Sequence, residues 1–208
     1  AANLEQLERD RSTMLAGISH DIRTPLTRLR LASEISVNDA QSRDEMAADI
    51  DEIDRIVTQF LDFARGTPKE APEQADLQIV LAAIAHKAAS RGLPVSWQSG
   101  PDAIVVNAYP AAFERMLMNL IENAHRYGKP PVELLLRRDG AMVDIDVVDA
   151  GAGVRAADVE RLKQPFVRGD HARGGAMGAG LGLAIVERLA KWHDGSFDLL
   201  PRSGGGTV

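Results

Sequence analysis

SHDIRTPL, residues 19–26, sets a histidine and a proline inside one helical pattern. Leu4, Leu7, Leu15, Ile18, Ile22, Leu26 and Leu29 fall in a single apolar stripe when placed at about 100° per residue. His20 lies about 140° from Leu15 on that wheel, off the stripe, and Thr24 only about 40° further round, so the two are neighbours on the outer face. From spacing alone His20 reads equally well as a surface histidine. Pro25 alters the balance, because it removes a backbone hydrogen bond, bends the helix and frees a carbonyl near residue 21. A costly break beside an exposed nucleophile is better explained by function than by packing.

Working outward, a second stripe of Met46, Ile50, Ile53, Val57, Leu61 and Ala64 repeats at helical spacing, and residues 37–42 supply turn and capping residues between the two. A lone hairpin of this size buries too little apolar surface to stand by itself, whereas two make a four-helix bundle, so a homodimer is expected. Residues 66–76, rich in proline and charge, read as a linker. Beyond it the pattern predicts helices over 77–89, 113–126 and 183–192. Strands are expected over 95–98, 104–106, 132–138, 142–148 and 196–200, with a hairpin across Asp139-Gly140. The expected fold is an antiparallel helical hairpin forming a dimeric four-helix bundle (1–65), then the linker, then an α/β sandwich with helices on one face of a mixed sheet (77–208).

The 208 residues suit one large domain or two small ones, and the net charge of −6 argues against a nucleic-acid partner. Without cysteine, disulfides, thiol catalysis and cysteine-ligated zinc are excluded. No run approaches the roughly 18 apolar residues of a membrane span, and no signal peptide opens the chain. The polar start and the end at Gly204-Gly205-Gly206-Thr207-Val208 read as those of a piece of something longer. His86, His125, His171 and His193 have no metal-ligand spacing and are expected to be structural or solvated.

Asn119 and Asn123 lie one turn apart on a helix, where an amide oxygen is a hard ligand suited to Mg²⁺ shared with nucleotide phosphates. Asp149 ends a strand ahead of Gly151 and Gly153, which let the backbone turn sharply and approach a ligand. Gly178, Gly180 and Gly182 lead into a helix whose first N–H groups make an anion site. A dinucleotide-binding Rossmann fold would put such glycines after its first strand; here they follow a long polar loop, which counts against it. That loop, residues 167–179, holds Arg168, Asp170, His171 and Arg173 among glycines and reads as a lid over a nucleotide.

These stretches resemble the motifs of the sensor histidine kinases of two-component signalling systems. SHDIRTPL looks like the family's phosphoacceptor box, and its continuation TRLRLA (27–32) is similar to the EnvZ-type osmosensor branch. NLIENAHRYG (119–128) resembles the N box, DAGAG (149–153) the first glycine box, PFVRGD (165–170) the phenylalanine box, and GAGLGL (178–183) the second glycine box. The resemblance implies ATP and Mg²⁺, bound by Asn119, Asn123, Asp149, Gly151, Gly153, Gly178, Gly180, Leu181 and Gly182. Asn123 would be the metal ligand, and Asp149 would accept a hydrogen bond from the adenine amino group. Tyr127 is expected either beside the base or in the core.

The same resemblance implies that His20 is phosphorylated by ATP, with Asp21 orienting or deprotonating its ring and Arg168 meeting charge on the γ-phosphate. Transfer to an aspartate of a response regulator would follow, an OmpR-like one by the likeness of the first helix. Thr24 would position water for the reverse, phosphatase reaction on that regulator. The implied setting is the cytoplasmic domain of a bacterial inner-membrane protein, joined to the membrane only by segments outside this chain. In the family a final strand continues where this chain stops.

The ATP-binding half also resembles Hsp90-, gyrase- and MutL-type ATPases. Those enzymes carry a water-activating glutamate at the position of Asn119, which is no base, and Glu122 lies about 100° round the helix from Asn123. Transfer to an internal acceptor is therefore expected over hydrolysis. An ATP-binding scaffold without phosphotransfer is a further reading, opposed by the intact boxes. A serine kinase of the anti-sigma type is opposed by residues 1–65, since it needs no phosphoacceptor helix.

Overall fold

The computed structural model describes residues 22, 25–35, 39–64, 70–100, 102–167, 180–202 and 206–207, with the backbone alone at 52 and 62–64. It divides into two compact units, one of residues 1–67 with 177–181 and one of residues 68–176 with 182–208.

In the first unit residues 25–35 form helix α1 and Ala40–Ala64 form α2, an antiparallel hairpin tied by Arg30 Nη1 to Asp51 Oδ1 at 2.5 Å. Asp39 starts α2: its Oδ2 accepts from the Ser42 hydroxyl at 2.6 Å and from the Ser42 N–H at 2.8 Å. The hydroxyl bond first, then the backbone bond, hold the Asp39 carboxyl below the usual carboxylate range. Leu26, Ile50 and Leu61 are buried, as the stripes predict. Leu29, Leu31, Ile35, Met46, Ile53 and Phe60 remain exposed, and Met46, Ile53 and Phe60, seven residues apart, give α2 an exposed apolar face.

The second unit runs β1 (Glu73–Asp76), α3 (Leu77–Ser90), β2 (Ser96–Trp97), β3 (Val105–Ala108), α4 (Pro110–Tyr127), β4 (Glu133–Asp139) and β5 (Met142–Val148). A 3₁₀ turn (Ala156–Asp158) then leads into α5 (Val159–Leu162), and α6 (Gly182–Trp192) follows. β1 and β3 pair antiparallel; β2, β4 and β5 form a mixed sheet in that order, parallel between β2 and β4 and antiparallel between β4 and β5. Leu134 opposite Val147 and Leu136 opposite Ile145 turn toward the core, while Leu135 opposite Asp146 and Arg137 opposite Asp144 turn away. Gly140, first of the two hairpin-loop residues, has φ 58°, the demand of a II′ turn. Leu81, Ile84 and Ala88 of α3 and Phe113, Leu117 and Ile121 of α4 complete the core with Leu134.

Two expectations need correction. β1 lies inside the stretch expected as linker: Glu-Gln-Ala-Asp shows no apolar alternation, and it is a strand because Val105–Ala108 offers it a complete antiparallel partner. Residues 196–200 are no strand; Lys163 bonds Asp198 Oδ1 at 3.1 Å and lies 5.6 Å from the Phe197 ring centroid, so side-chain contacts hold this stretch instead of a ladder.

The helix bearing Asn119 and Asn123 is anchored at its start. Pro110 occupies the first turn, and the Glu70 carboxylate accepts from the Ala111 and Ala112 N–H groups at 3.0 Å each, where helix donors otherwise lack partners. Tyr109 N–H donates to His193 Nε2 at 3.0 Å, and His193 Nδ1 lies 2.8 Å from the Leu189 carbonyl. Since Nε2 accepts, the ring proton sits on Nδ1 and donates to Leu189. The ring also meets Tyr109 and Phe113 edge-on, so His193 is a structural histidine.

Two outcomes follow from the caps. Asp76 Oδ1 accepts the Gln78 N–H at 2.9 Å at the start of α3, so Asp76→Ala should cost about 1 kcal/mol in urea unfolding; an unchanged midpoint contradicts this. Asp39, with its folded value depressed, stabilises α2 above the unfolded value of about 3.9 and loses that contribution as pH falls through the folded value. The Ser42 amide resonance should titrate in that acid range, and in Asp39→Asn, also a good cap, it should not.

Candidate functional site

Asn119, Asn123 and Tyr127 recur every fourth residue of α4, hence on one face, each about 6 Å further along the axis. Asn119 is 8% exposed, and its Nδ2 donates to the Arg115 carbonyl at 2.9 Å. That bond commits the amine end and leaves Oδ1 to face the start of α6. A Cβ placed on Gly182, first residue of α6, would lie 3.5 Å from Asn119 Oδ1 and 3.3 and 3.5 Å from Asn123 Nδ2 and Oδ1. Gly180, at φ 68°, and Leu181 lead the chain into that helix. The first N–H groups of α6 have no acceptor within the helix, and its positive dipole end adds to them. An anion site therefore adjoins two amide side chains.

The other end of α4 meets the loop after β5. Gly128 caps the helix, its N–H donating to the Ala124 carbonyl at 3.0 Å. Its φ of −89° suits any residue; space requires the glycine, since a Cβ would stand 2.5 Å from the Ala124 carbonyl oxygen, 2.5 Å from Asp149 Cγ and 2.6 Å from Oδ1. Gly151 is constrained in the same way, its Cβ position lying 2.7 Å from Gly128 Cα and 2.9 Å from Asp149 Oδ1. Ala150 N–H, donating to the Lys129 carbonyl at 2.9 Å, holds the two segments together. Gly153, at φ 77°, turns the loop away.

Asp149 is thereby only 6% exposed, with Oδ1 accepting the Gly151 N–H at 2.6 Å. Oδ2 has no partner among the described residues. That oxygen is an acceptor left available to a ligand's donor. Beyond the loop, Arg161 and then Arg155 bond Asp158 at 2.9 and 2.6 Å and hold its carboxyl below the usual range. Tyr127 is 47% exposed, which removes the core alternative for it.

Among the described residues no three His, Cys, Asp or Glu gather as a metal set. A divalent cation would rest on the Asn119 and Asn123 amide oxygens, water and ligand phosphates. Mg²⁺ is commonly held in this way, with few protein ligands, so the residues present fit it. His20, Asp21, Thr24, Arg168 and Gly178 lie outside the described residues. Gly128 was not a candidate from sequence: it reads as a helix stop, and its contact with Asp149 exists only in the fold.

Family profiles agree with this division. Residues 10–69 match the His Kinase A (phospho-acceptor) domain, and residues 108–208 the histidine kinase-, DNA gyrase B-, and HSP90-like ATPase domain. The sensor histidine kinase CpxA of Escherichia coli strain K12 is 32% identical over 204 residues, 92% of this chain and 44% of that protein. The sensor-like histidine kinase SenX3 of Mycobacterium tuberculosis strain H37Rv is 30% identical over 219 residues, 98% of this chain and 53% of that protein.

Among solved structures, full-length ShkA in complex with AMPPNP matches with a TM-score of 0.72 at 28% identity, covering 95% of this chain and 44% of that one. The histidine kinase domain of the E. coli osmosensor EnvZ matches with a TM-score of 0.52 at 34% identity, covering 68% of this chain and 88% of that one. The chain belongs to the sensor histidine kinases: a helical phospho-acceptor region followed by an α/β ATP-binding domain. It spans about half the length of the curated relatives it matches.

The crowding at Gly128 that encloses Asp149 predicts that Gly128→Ala, which forces a Cβ onto the Ala124 carbonyl and the carboxylate alike, lowers stability by about 1–3 kcal/mol. Gly195, where a Cβ meets nothing nearer than the Ala190 carbonyl at 3.4 Å, is the control. Equal urea midpoints for the two alanine variants would contradict the enclosure.

Proposed function

We propose that this chain is the kinase core of a two-component sensor, binding ATP with Mg²⁺ in its second unit and phosphorylating its own His20. The observation that carries the reading is the pairing of two unlike sites on α4. A nearly buried acid seeking a donor lies at Gly128, and an anion site lies at Asn119 and Asn123, about 8–14 Å away along the axis. A nucleotide lying along α4 would give its base amino group to Asp149 and its phosphates to the start of α6. Tyr127, half-exposed beside Gly128, would flank the base. Gly151 and Gly153 would line the base end and Gly182 the phosphate end, with Gly178, Gly180 and Leu181 kept as the expectation of the motif resemblance.

Neutral imidazole is abundant at neutral pH and nucleophilic. One ring nitrogen of His20 would attack the γ-phosphorus in line, forming the N–P bond as the bond to the bridging oxygen breaks and ADP departs. Asp21 would orient or deprotonate the other nitrogen, and Arg168 would meet the charge on the γ-phosphate. Bound at Asn123, Mg²⁺ would supply further positive charge to the phosphate oxygens. Because Asn119 is no base, nothing at that position activates water, and ATP is kept for transfer.

The phosphoryl group would pass to an aspartate of a response regulator, an OmpR-like one if the likeness of residues 19–32 to the EnvZ branch extends to the partner. Thr24 would position water in the reverse reaction. The exposed apolar face of α2 supports a homodimer in which two copies of residues 1–65 make a four-helix bundle. The linker is then 66–72 and the ATP-binding domain begins with β1. No helix of the described residues is long and apolar enough to cross a membrane. Both curated relatives are about twice the length of this chain, which supports its place as the cytoplasmic part of a membrane sensor.

Incubation with Mg-ATP labelled at the γ-phosphate should give acid-labile, alkali-stable label on the protein, absent from His20→Gln. Equal labelling of that variant would remove the kinase reading. Thr24→Ala should label normally yet lose phosphatase activity on the regulator, and retained phosphatase activity would refute its role.

A further inference from the structure

Gly206, after α6, belongs to none of the motifs that define the site. It is buried, and its φ of 99° lies where glycine is favoured. A Cβ there would stand 2.0 Å from the Asp149 carbonyl oxygen, 2.9 Å from its carbonyl carbon and 3.3 Å from Ala150 Cα. In return the Gly206 carbonyl oxygen lies 2.7 Å from where a Cβ of Gly153 would be. Thr207 accepts the Asp149 N–H at 3.1 Å. Arg202 N–H donates to the Gly206 carbonyl at 3.2 Å and Pro201 bridges Thr207, so residues 206 and 207 are held in place from their own side. Asp149 is thus gripped by its backbone here, while Gly128 walls its carboxylate and Gly151 bonds it.

We infer that Gly206 is a positioning residue for base recognition, setting the Asp149 carboxylate against the exocyclic amino group of adenine. The inference rests on the nucleotide reading of this site and deepens it. An ionised carboxylate only accepts hydrogen bonds. Adenine offers it an amino donor where guanine, in the same pose, offers a carbonyl oxygen. Discrimination therefore depends on where Oδ2 stands, within the narrow range of a hydrogen bond, about 2.7–3.2 Å. A side chain at Gly206 meets backbone and not a flexible tip, so no rotamer relieves the clash. The Asp149 peptide must move and its carboxylate moves with it.

The test is calorimetric titration of the whole chain with Mg-ATP and Mg-GTP. The native chain should prefer ATP by about tenfold or more, the worth of a hydrogen bond to a charged group. Asp149→Asn and Gly206→Ala should each lose most of that preference, chiefly through weaker ATP binding. The double variant should lose no more than Asp149→Asn alone, because both changes act through one carboxylate. A folded Gly206→Ala with the native preference, or losses that add in the double variant, would overturn the inference, since a merely structural role adds. Should Gly206→Ala not fold, Thr207→Gly, which introduces no atom, replaces it; a smaller loss of the same kind is expected, and an unchanged ratio overturns the inference. A native chain that takes ATP and GTP alike would instead remove the base-recognition reading on which the inference stands.

Discussion

The arrangement of the second unit depends on how closely the chain packs round one carboxylate, that of Asp149. The Asp149 carboxylate accepts one hydrogen bond among the described residues, from Gly151, and has little exposure. Its second oxygen is left as an acceptor for a ligand's donor. Its enclosure constrains residues far apart in the chain. Gly128 must have no side chain, although its backbone conformation would allow one, and Gly151 must have none for the same reason.

α4 carries this constraint to the phosphate end. Asn119, Asn123 and Tyr127 share a face, and Gly128 ends the helix against Asp149, so one rigid rod fixes the spacing between a donor-seeking acid and an anion site. Its start is fixed as well, by Glu70 across two N–H groups and by His193 through Tyr109. Packing of Phe113, Leu117 and Ile121 against α3 and the mixed sheet holds the rod laterally.

Much of this was legible in sequence, for identifiable reasons. Asparagines at helical spacing and glycines ahead of a helix follow from local geometry, and α4, α6 and the β4–β5 hairpin appear where periodicity puts them. What was hidden depends on partners distant in the chain. Glu70 looks like linker charge until Ala111 and Ala112 are beside it, and β1 has no strand-like pattern until β3 pairs with it. Phe197 and Leu199 alternate like a strand, yet Lys163 and its contacts decide that stretch. The contacts of Gly128 and Gly206 with one aspartate join segments far apart in the chain, which no local pattern reveals.

The claim on which everything turns is that a nucleotide lies along α4 with its base at Asp149 and its phosphates at α6. Backbone amide NMR during titration with Mg-AMPPNP tests it most directly. Large shifts should appear together at the Asp149–Gly153 amides and at Gly182, Leu183 and Ala184, with little change around β1 and β3. Saturating nucleotide that left both amide groups unmoved, or shifted only residues on the β1–β3 side, would contradict it.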